Sequence, residues 1–274
     1  MIDWAVLSRA YPFWLCDIWG VLHAGGRVHE KALRVLRNHR ELGGRVVLIS
    51  NSPQPSAIVM AGLAQKGLLR SDYDGLITSG DMALRMVAER AGQKYYFIGD
   101  EAYDSGLLAK ISLGRCESPQ EADFILCTGL QDGLGDDIEA HAPLLRECAD
   151  LGLEMICANP DRLVRVGSHL IYCAGALADL YQDLGGQVRM TGKPEAEIYR
   201  DGLRLLGCGL REKVLAIGDG LQTDAAGAQK AGLAFAFVES GIHAGEFADF
   251  AAIKAHIATT LPELQLVHVL ADFS

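Results

Sequence analysis

Three apolar segments of the 274-residue chain end in polar side chains that could take part in chemistry. Asp17 follows the segment YPFWLC, Ser50 ends VVLIS, and Asp219 follows VLAIG. A lysine, Lys193, lies in the turn MTGKP, and Asp224 comes shortly after Asp219. Each feature alone has an ordinary explanation, because Asp, Ser and Asn cap helices and Gly-Lys-Pro forms surface turns. Together they match the needs of phosphoryl transfer.

The combination predicts a carboxylate nucleophile working beside a divalent cation. A phosphate is negatively charged and repels an attacking carboxylate, and a cation held by Asp17 and Asp219 would reduce that repulsion. Lys193 would neutralise charge from another side, and Ser50 could donate a hydrogen bond to a phosphoryl oxygen. Asp224 could hold a metal-bound water or orient Lys193. A site with so few carboxylate ligands suits Mg2+.

The elements that carry these residues alternate between apolar strands and helical patterns, which is typical of βαβ units and a parallel sheet. Each catalytic candidate follows a strand, and ligands of open α/β sheets bind beyond the carboxyl ends of strands. We therefore predict an α/β fold with a doubly wound parallel-sheet, Rossmann-like core. The predicted strands are residues 12–17, 46–50, 75–78, 188–190, 214–217 and 234–238, and the predicted helices are residues 29–42, 55–66, 81–91, 196–206, 223–231 and 246–256.

A long segment between the chemical motifs has an α/β alternation of its own. It includes YYFI, DFILC, a helix at residues 136–150 and EMICA, and it is too long to be a loop. We predict a smaller α/β cap domain at residues 92–181, inserted into a core made of residues 1–91 and 182–274, with hinges at Gly92 and the Gly185-Gly186 pair. Such a cap would exclude water from the site.

The four motifs LCDIWG, LISNS, TGKP and IGDGLQTD occur in this order along the chain. Their order resembles hhhDxDG, hhhT/SN, GKP and hGDxxxTD, the motifs of the haloacid dehalogenase (HAD) superfamily. The segments ANPDR and CAGALADLYQDLGG are similar to those of its class IIA branch, the NagD-like phosphatases of small phosphoesters. The resemblance implies a hydrolase that uses Mg2+ and forms an aspartyl-phosphate on Asp17.

One position departs from the family pattern. Where the phosphatases have a second aspartate, which acts as general acid and base, this chain has Trp19, and an indole can do neither job. The family's metal ligand at this position is the main-chain carbonyl, which any residue supplies, so the resemblance keeps Trp19 beside Asp17, Asp219 and Asp224 as a metal ligand. We expect weak activity on unactivated esters. His23 is a candidate substitute acid, the alternative being a solvent-facing loop histidine.

Four further residues are candidates for substrate binding: Asn51, Asn159, Asp161 and Arg162. Asn51 lies in the LISNS motif, and the other three lie in the cap segment ANPDR. The alternative for the cap residues is that Asn-Pro-Asp forms an ordinary turn after a strand.

Composition limits the partners. The net charge of −10 argues against nonspecific binding to nucleic acid or anionic membranes. No apolar run reaches the length of a membrane span, Asp3 and Arg9 interrupt any N-terminal signal, and the seven cysteines form no CxxC pair. We expect a cytoplasmic enzyme that acts on a small phosphorylated substrate. A homodimer fits the family resemblance, and the sequence leaves the oligomeric state open.

The same residues exclude some other functions and leave two alternatives open. A P-loop is excluded because Pro194 follows Gly192-Lys193 where Ser or Thr is needed, and no GxGxxG indicates a dinucleotide site. Dehalogenase chemistry uses the same aspartate without a second acid, although the GDxxxTD motif favours metal and phosphate. A catalytically disarmed module that binds a phosphorylated metabolite is the main alternative, because of Trp19.

Overall fold

The computed structural model describes residues 4–131, 137–167, 169–208 and 213–273. Its strands are β1 Phe13–Asp17, β2 Arg45–Ser50, β3 Gly75–Thr78, β4 Lys94–Ile98, β5 Gly114–Cys116, β6 Phe124–Cys127, β7 Glu154–Cys157, β8 Leu163–Val166, β9 His169–Tyr172, β10 Gln187–Met190, β11 Val214–Gly218, β12 Ala234–Val238 and β13 Gln265–Leu270. The helices are α1 Trp4–Ala10, α2 Glu30–Glu41, α3 Ser56–Gln65, α4 Ser79–Ala88, α5 Glu101–Leu108, α6 Ala142–Asp150, α7 Ala174–Asp183, α8 Ala196–Leu206, α9 Ala226–Ala231 and α10 Phe250–Thr260.

The first sheet is parallel throughout, with the strand order β13-β12-β11-β1-β2-β3. Side chains of a strand alternate between its two faces, so β1 buries Trp14 and Cys16 on one face and Leu15 on the other. Helices α1, α2 and α3 cover the first face, and α8, α9 and α10 cover the second. The prediction of a doubly wound parallel α/β sheet is confirmed.

The second sheet is also parallel, with the order β10-β7-β6-β4-β5. Helices α6 and α7 pack on one face, while α4 and α5 pack on the other. Helix α4 directly follows β3 of the first sheet in the chain and packs against the second sheet. It therefore connects the two sheets. Strands β8 and β9 form a separate antiparallel hairpin.

The predicted cap boundary is corrected by β10. The sequence predicts that residues 182–274 belong to the core, but β10 pairs with β7 in the second sheet, which therefore extends to Met190. The Gly185-Gly186 pair consequently forms the turn from α7 to β10 within that layer and is not a hinge between layers. Alternating burial along β10 is compatible with the edge of either sheet, so the local pattern could not identify its partner.

Several element boundaries also differ from the predictions. Helix α1 and strand β13 were not predicted, and the helix expected at residues 246–256 lies at Phe250–Thr260. The helix expected at residues 136–150 begins as a short 3-10 turn, Glu139–His141, before α6, and residue 136 lies outside the described residues. No helix in the described ranges combines the length and apolar character needed to cross a membrane.

Candidate active site

Three carboxylates meet at the carboxyl end of the first sheet. Asp17 ends β1, Asp219 follows β11, and Asp224 lies in a π-helical turn, Leu221–Ala225. One carboxylate oxygen from each lies within 4.8 Å of the other two, and all three residues are buried. Among the described residues, this is the only group of three or more His, Cys, Asp or Glu side chains that could hold a metal ion.

Lys193 lies within this cluster. Its Nζ atom donates hydrogen bonds to Asp17 Oδ1 at 2.5 Å and to Asp224 Oδ1 at 2.9 Å. Burial by itself lowers the pKa of Lys193, but the carboxylates of Asp17 and Asp224 more than offset this, so its pKa lies well above the ordinary value. The ammonium therefore stays charged, and it supplies one positive charge for three carboxylates.

The donor set fits a divalent cation that prefers oxygen ligands. Burial, followed by the nearby Asp224 carboxylate, raises the pKa of Asp219 to about 7, although the N–H of Ile242 and the charge of Lys193 oppose the shift. The carboxylates therefore outnumber the single positive charge of Lys193, and a divalent cation would offset the excess. Gly20 keeps the site open, since its φ is +80° and a Cβ there would overlap the Asp219 carboxylate.

Ser50 and Asn51, at the end of β2, have different partners. Ser50 Oγ accepts a hydrogen bond from the N–H of Ser52 at 3.2 Å, so its own proton can be donated elsewhere. Asn51 Oδ1 accepts from the N–H of Lys193 at 2.7 Å, while Asn51 Nδ2 donates to the Lys193 carbonyl at 3.2 Å and to Asp161 Oδ1 at 2.8 Å. The Asn51 amide is thus occupied in holding the Lys193 turn and Asp161 together.

The three candidate residues of the ANPDR segment have different partners. Asp161 reaches Asn51 of the core, whereas Asn159 Oδ1 accepts from the Asp161 N–H at 3.3 Å, which is a local turn contact. Arg162 is exposed and forms a two-bond ion pair with Asp179 on α7. Its guanidinium is therefore occupied by Asp179 of α7, and no contact with the carboxylate cluster is found in the part of the chain that the structure describes.

Trp19 and His23 lie together in the turn after β1. The two rings form an edge contact with centroids 5.1 Å apart, and Trp19 Nε1 donates to the carbonyl of Arg165 in β8 at 3.0 Å. His23 is buried, which contradicts its interpretation as a solvent-facing histidine. Its Nδ1 accepts from the N–H of Gly25, and burial, with the charge of Lys66, lowers its pKa to about 4. A neutral acceptor of this kind is poorly suited to donate a proton near pH 7.

Three residues near the carboxylate cluster were not predicted as site residues from the sequence. The backbone N–H of Ile242 donates to Asp219 Oδ2 at 2.6 Å, and Tyr199 Oη donates to the carbonyl of Asp224 at 3.1 Å. Arg165 Nη2 in turn donates to the Ile242 carbonyl at 3.2 Å. No local motif marks these residues, because a backbone donor can belong to any residue type and Arg165 lies in an otherwise apolar strand.

Comparison with known proteins gives a consistent result. Residues 14–109 match the family model described as haloacid dehalogenase-like hydrolase, and residues 190–264 match a second model, described as HAD-hydrolase-like. These two segments carry all four motifs. No curated protein matches the sequence significantly.

Solved structures share the fold over nearly the whole chain. A hydrolase of the haloacid dehalogenase-like family from Brucella suis 1330 is 32% identical, with 98% of this chain and 97% of that chain covered and a TM-score of 0.85. A p-nitrophenyl phosphatase from Archaeoglobus fulgidus is 23% identical, with 96% and 97% covered and a TM-score of 0.72. NagD from Escherichia coli K-12 is 21% identical, with 96% and 97% covered and a TM-score of 0.68. At 23% and 21% identity, the likeness to the last two structures shows a shared fold and nothing more.

Proposed function

Because the chain belongs to the haloacid dehalogenase-like hydrolases, we propose that it is an Mg2+-dependent phosphatase of a small phosphorylated metabolite. The observation that carries this proposal is the buried cluster of Asp17, Asp219 and Asp224, within 4.8 Å of one another and bonded to the Lys193 ammonium. Hydrolysis of a neutral ester would have little use for such a concentration of charge, whereas a phosphate needs both cations and a nucleophile.

Asp17 is the proposed nucleophile. Its carboxylate attacks phosphorus in line with the leaving oxygen, which departs with the bonding electrons, and the aspartyl-phosphate is then hydrolysed by water. Lys193 neutralises charge on the transferring group, and the Ser50 hydroxyl donates to one of its oxygens. Asp17, Asp219, Asp224 and the Trp19 carbonyl would hold Mg2+, which supplies further charge neutralisation when bound.

Trp19 determines which leaving groups are tolerated. Its indole N–H does not act as an acid near pH 7, and it already donates a hydrogen bond to the Arg165 carbonyl. General acid catalysis typically contributes about a hundredfold to ten-thousandfold. Aryl and acyl phosphates expel weakly basic oxygens and need this help least, so we expect them to be hydrolysed faster than sugar or alkyl phosphates.

The same residue supports a second candidate function. If Trp19 removes too much catalytic power, the site would bind a phosphorylated metabolite without turning it over. The Asp17–Lys193 contact favours the enzyme, since simple binding does not need a buried nucleophile. Dehalogenase chemistry is less favoured, because it has no need for a cluster that fits a divalent cation. Cytoplasmic location and a homodimer stay predictions.

The test is hydrolysis of p-nitrophenyl phosphate with Mg2+ and with a chelator. Wild type, Trp19→Asp and Trp19→Phe are compared, because the phenylalanine variant loses the indole N–H without gaining an acid. We expect Mg2+-dependent release by wild type and a higher rate only in Trp19→Asp. Inactivity of wild type with activity of Trp19→Asp would favour the binding module, and release by Asp17→Asn would exclude Asp17 as nucleophile.

A further inference from the structure

Arg165 is a cationic side chain that the proposed mechanism does not use. Its Nη2 donates to the Ile242 carbonyl at 3.2 Å, and its Nε is buried without a hydrogen-bond partner among the residues described. Among the described residues, no carboxylate lies within ion-pair distance of the Arg165 guanidinium. Arg162, by contrast, is paired with Asp179. A buried guanidinium donor without a partner is costly, so this position calls for an explanation.

The position of Arg165 relates it directly to the carboxylate cluster. Ile242 links the two, since its N–H binds Asp219 Oδ2 at 2.6 Å and its carbonyl binds Arg165 at 3.2 Å. Two hydrogen bonds and one residue therefore keep the guanidinium no more than about 10 Å from the Asp219 carboxylate. A guanidinium within that distance of the cluster is close enough to contact the alcohol part of a small phosphate ester whose phosphorus is attacked by Asp17.

Trp19 holds the backbone of Arg165 in this place. The indole N–H donates to the Arg165 carbonyl at 3.0 Å, and the ring is itself supported by His23, with ring centroids 5.1 Å apart. The residue that occupies the position of the missing general acid therefore attaches the cap hairpin β8–β9 to the nucleophile's own turn. An arginine held in this way loses less conformational entropy when it binds an anion.

We propose that Arg165 is a specificity-determining residue, which binds a second anionic group, such as a carboxylate, on the alcohol side of the phosphorylated substrate. This inference rests on the proposed phosphatase function and deepens it. Guanidinium binds carboxylate through one or two N–H donors, and the Nε of Arg165 is the donor that no protein group occupies among the described residues.

The test compares two aryl phosphates of similar leaving-group acidity, para-carboxyphenyl phosphate and its neutral analogue para-carbamoylphenyl phosphate. Wild type should prefer the carboxylate ester, mainly through a lower KM, by about tenfold to a hundredfold in kcat/KM. Arg165→Gln should lose this preference with the carbamoyl ester little changed, and Arg165→Lys should keep part of it. Arg115→Gln is the matched control, because it removes an arginine of β5 that is already paired with Glu101, and it should behave as wild type.

An anchoring role without substrate contact predicts a different result. Arg165→Gln would then slow both esters equally, and that outcome, or a wild type without preference, would overturn the proposal. If Arg165→Gln does not fold, Arg165→Lys decides, because complete loss of the preference in that variant would contradict recognition by charge.

Binding to Asp17→Asn separates this inference from the proposed function. Calorimetry with para-carboxyphenyl and para-carbamoylphenyl phosphate needs no turnover, so a preference that disappears in Asp17→Asn/Arg165→Gln would support Arg165 even if wild type hydrolyses neither ester. Equal binding of both esters by Asp17→Asn would exclude the role of Arg165 and leave the phosphatase proposal to its own test.

Discussion

Lys193 is the residue on which the charge balance of the site depends. It is buried, its side chain contacts two of the three carboxylates, and the Asn51 amide holds its backbone from both sides. Asp161, which comes after β7 of the second sheet, binds the same Asn51 amide. Residues that follow strands of both sheets therefore position the lysine, which explains how a flexible side chain can be held rigidly.

Replacing Lys193 by Met should lower kcat/KM for p-nitrophenyl phosphate by about a hundredfold or more, because Asp17 and the phosphoryl group lose a fixed positive charge. Steady-state kinetics at saturating Mg2+ would measure the effect. Lys254→Met, at an exposed position of α10, serves as the control. A change of less than threefold in Lys193→Met would rule out this role.

At the scale of elements, the turn after β1 brings three parts of the structure together. Gly20 allows the chain to pass beside the Asp219 carboxylate with a φ of +80°. Trp19, one residue earlier, bonds to the hairpin β8–β9. The same short turn therefore shapes the surroundings of the Asp219 carboxylate and attaches the β8–β9 hairpin.

Gly20→Ala should strain the backbone at residue 20 and displace the Asp219 carboxylate. A left-handed conformation costs a non-glycine residue about 1–2 kcal/mol, and the added Cβ would displace Asp219. We expect lower stability in urea and a higher Mg2+ concentration for half-maximal hydrolysis. Gly26→Ala is the control, since φ there is not positive and a Cβ would meet no atom within 4 Å. Equal Mg2+ dependence in the two variants would contradict the prediction.

Trp19→Phe should loosen the β8–β9 hairpin. The variant keeps an aromatic ring and loses one hydrogen bond, worth about 1 kcal/mol, to the Arg165 carbonyl. Faster amide hydrogen exchange in the hairpin, measured by mass spectrometry, is the expected result. Trp14→Phe is a suitable comparison, because the Trp14 indole N–H has no hydrogen-bond partner among the described residues. Unchanged hairpin exchange in Trp19→Phe would show that the bond does not hold the hairpin.

At the scale of the whole molecule, the first sheet is stabilised by an apolar core that contains a histidine. His39 of α2 stacks on Trp14 of β1 with ring centroids 3.6 Å apart, and neither of its ring nitrogens has a hydrogen-bond partner in the described part of the chain. Burial lowers the pKa of His39 to about 4. The fold therefore holds this imidazole in its neutral form.

Stability should consequently fall on acidification. With a folded pKa of about 4 and an unfolded value of 6.5, the contribution of His39 is complete above pH 6.5 and is lost as the pH falls toward 4. The loss approaches about 3 kcal/mol for this residue. His39→Phe should show a correspondingly weaker decline in urea unfolding between pH 7.5 and 4, whereas His256→Phe, at an exposed site, should follow wild type. If the free energy of unfolding of wild type and His39→Phe declined equally with falling pH, His39 would not be the cause of the decline.

Much of the catalytic half of the molecule could be predicted from the amino-acid sequence. The five core strands β1, β2, β3, β11 and β12 lie within a residue of their predicted bounds, because apolar periodicity and turn residues are local signals. Asp17 ends β1 and Asp219 follows β11, which are neighbouring strands of one parallel sheet and end at the same edge. The meeting of these two carboxylates was therefore predictable from the sequence.

Tertiary structure decided what depends on contacts between distant segments. Arg162 and Arg165 lie in the same segment, yet one pairs with Asp179 and the other contacts the loop beside Asp219, a difference that only the path of the hairpin determines. Likewise, β10 joins the second sheet because β7 offers it a free edge. Residue type and spacing determine which elements form, but hydrogen bonding and packing between elements determine which neighbours they acquire.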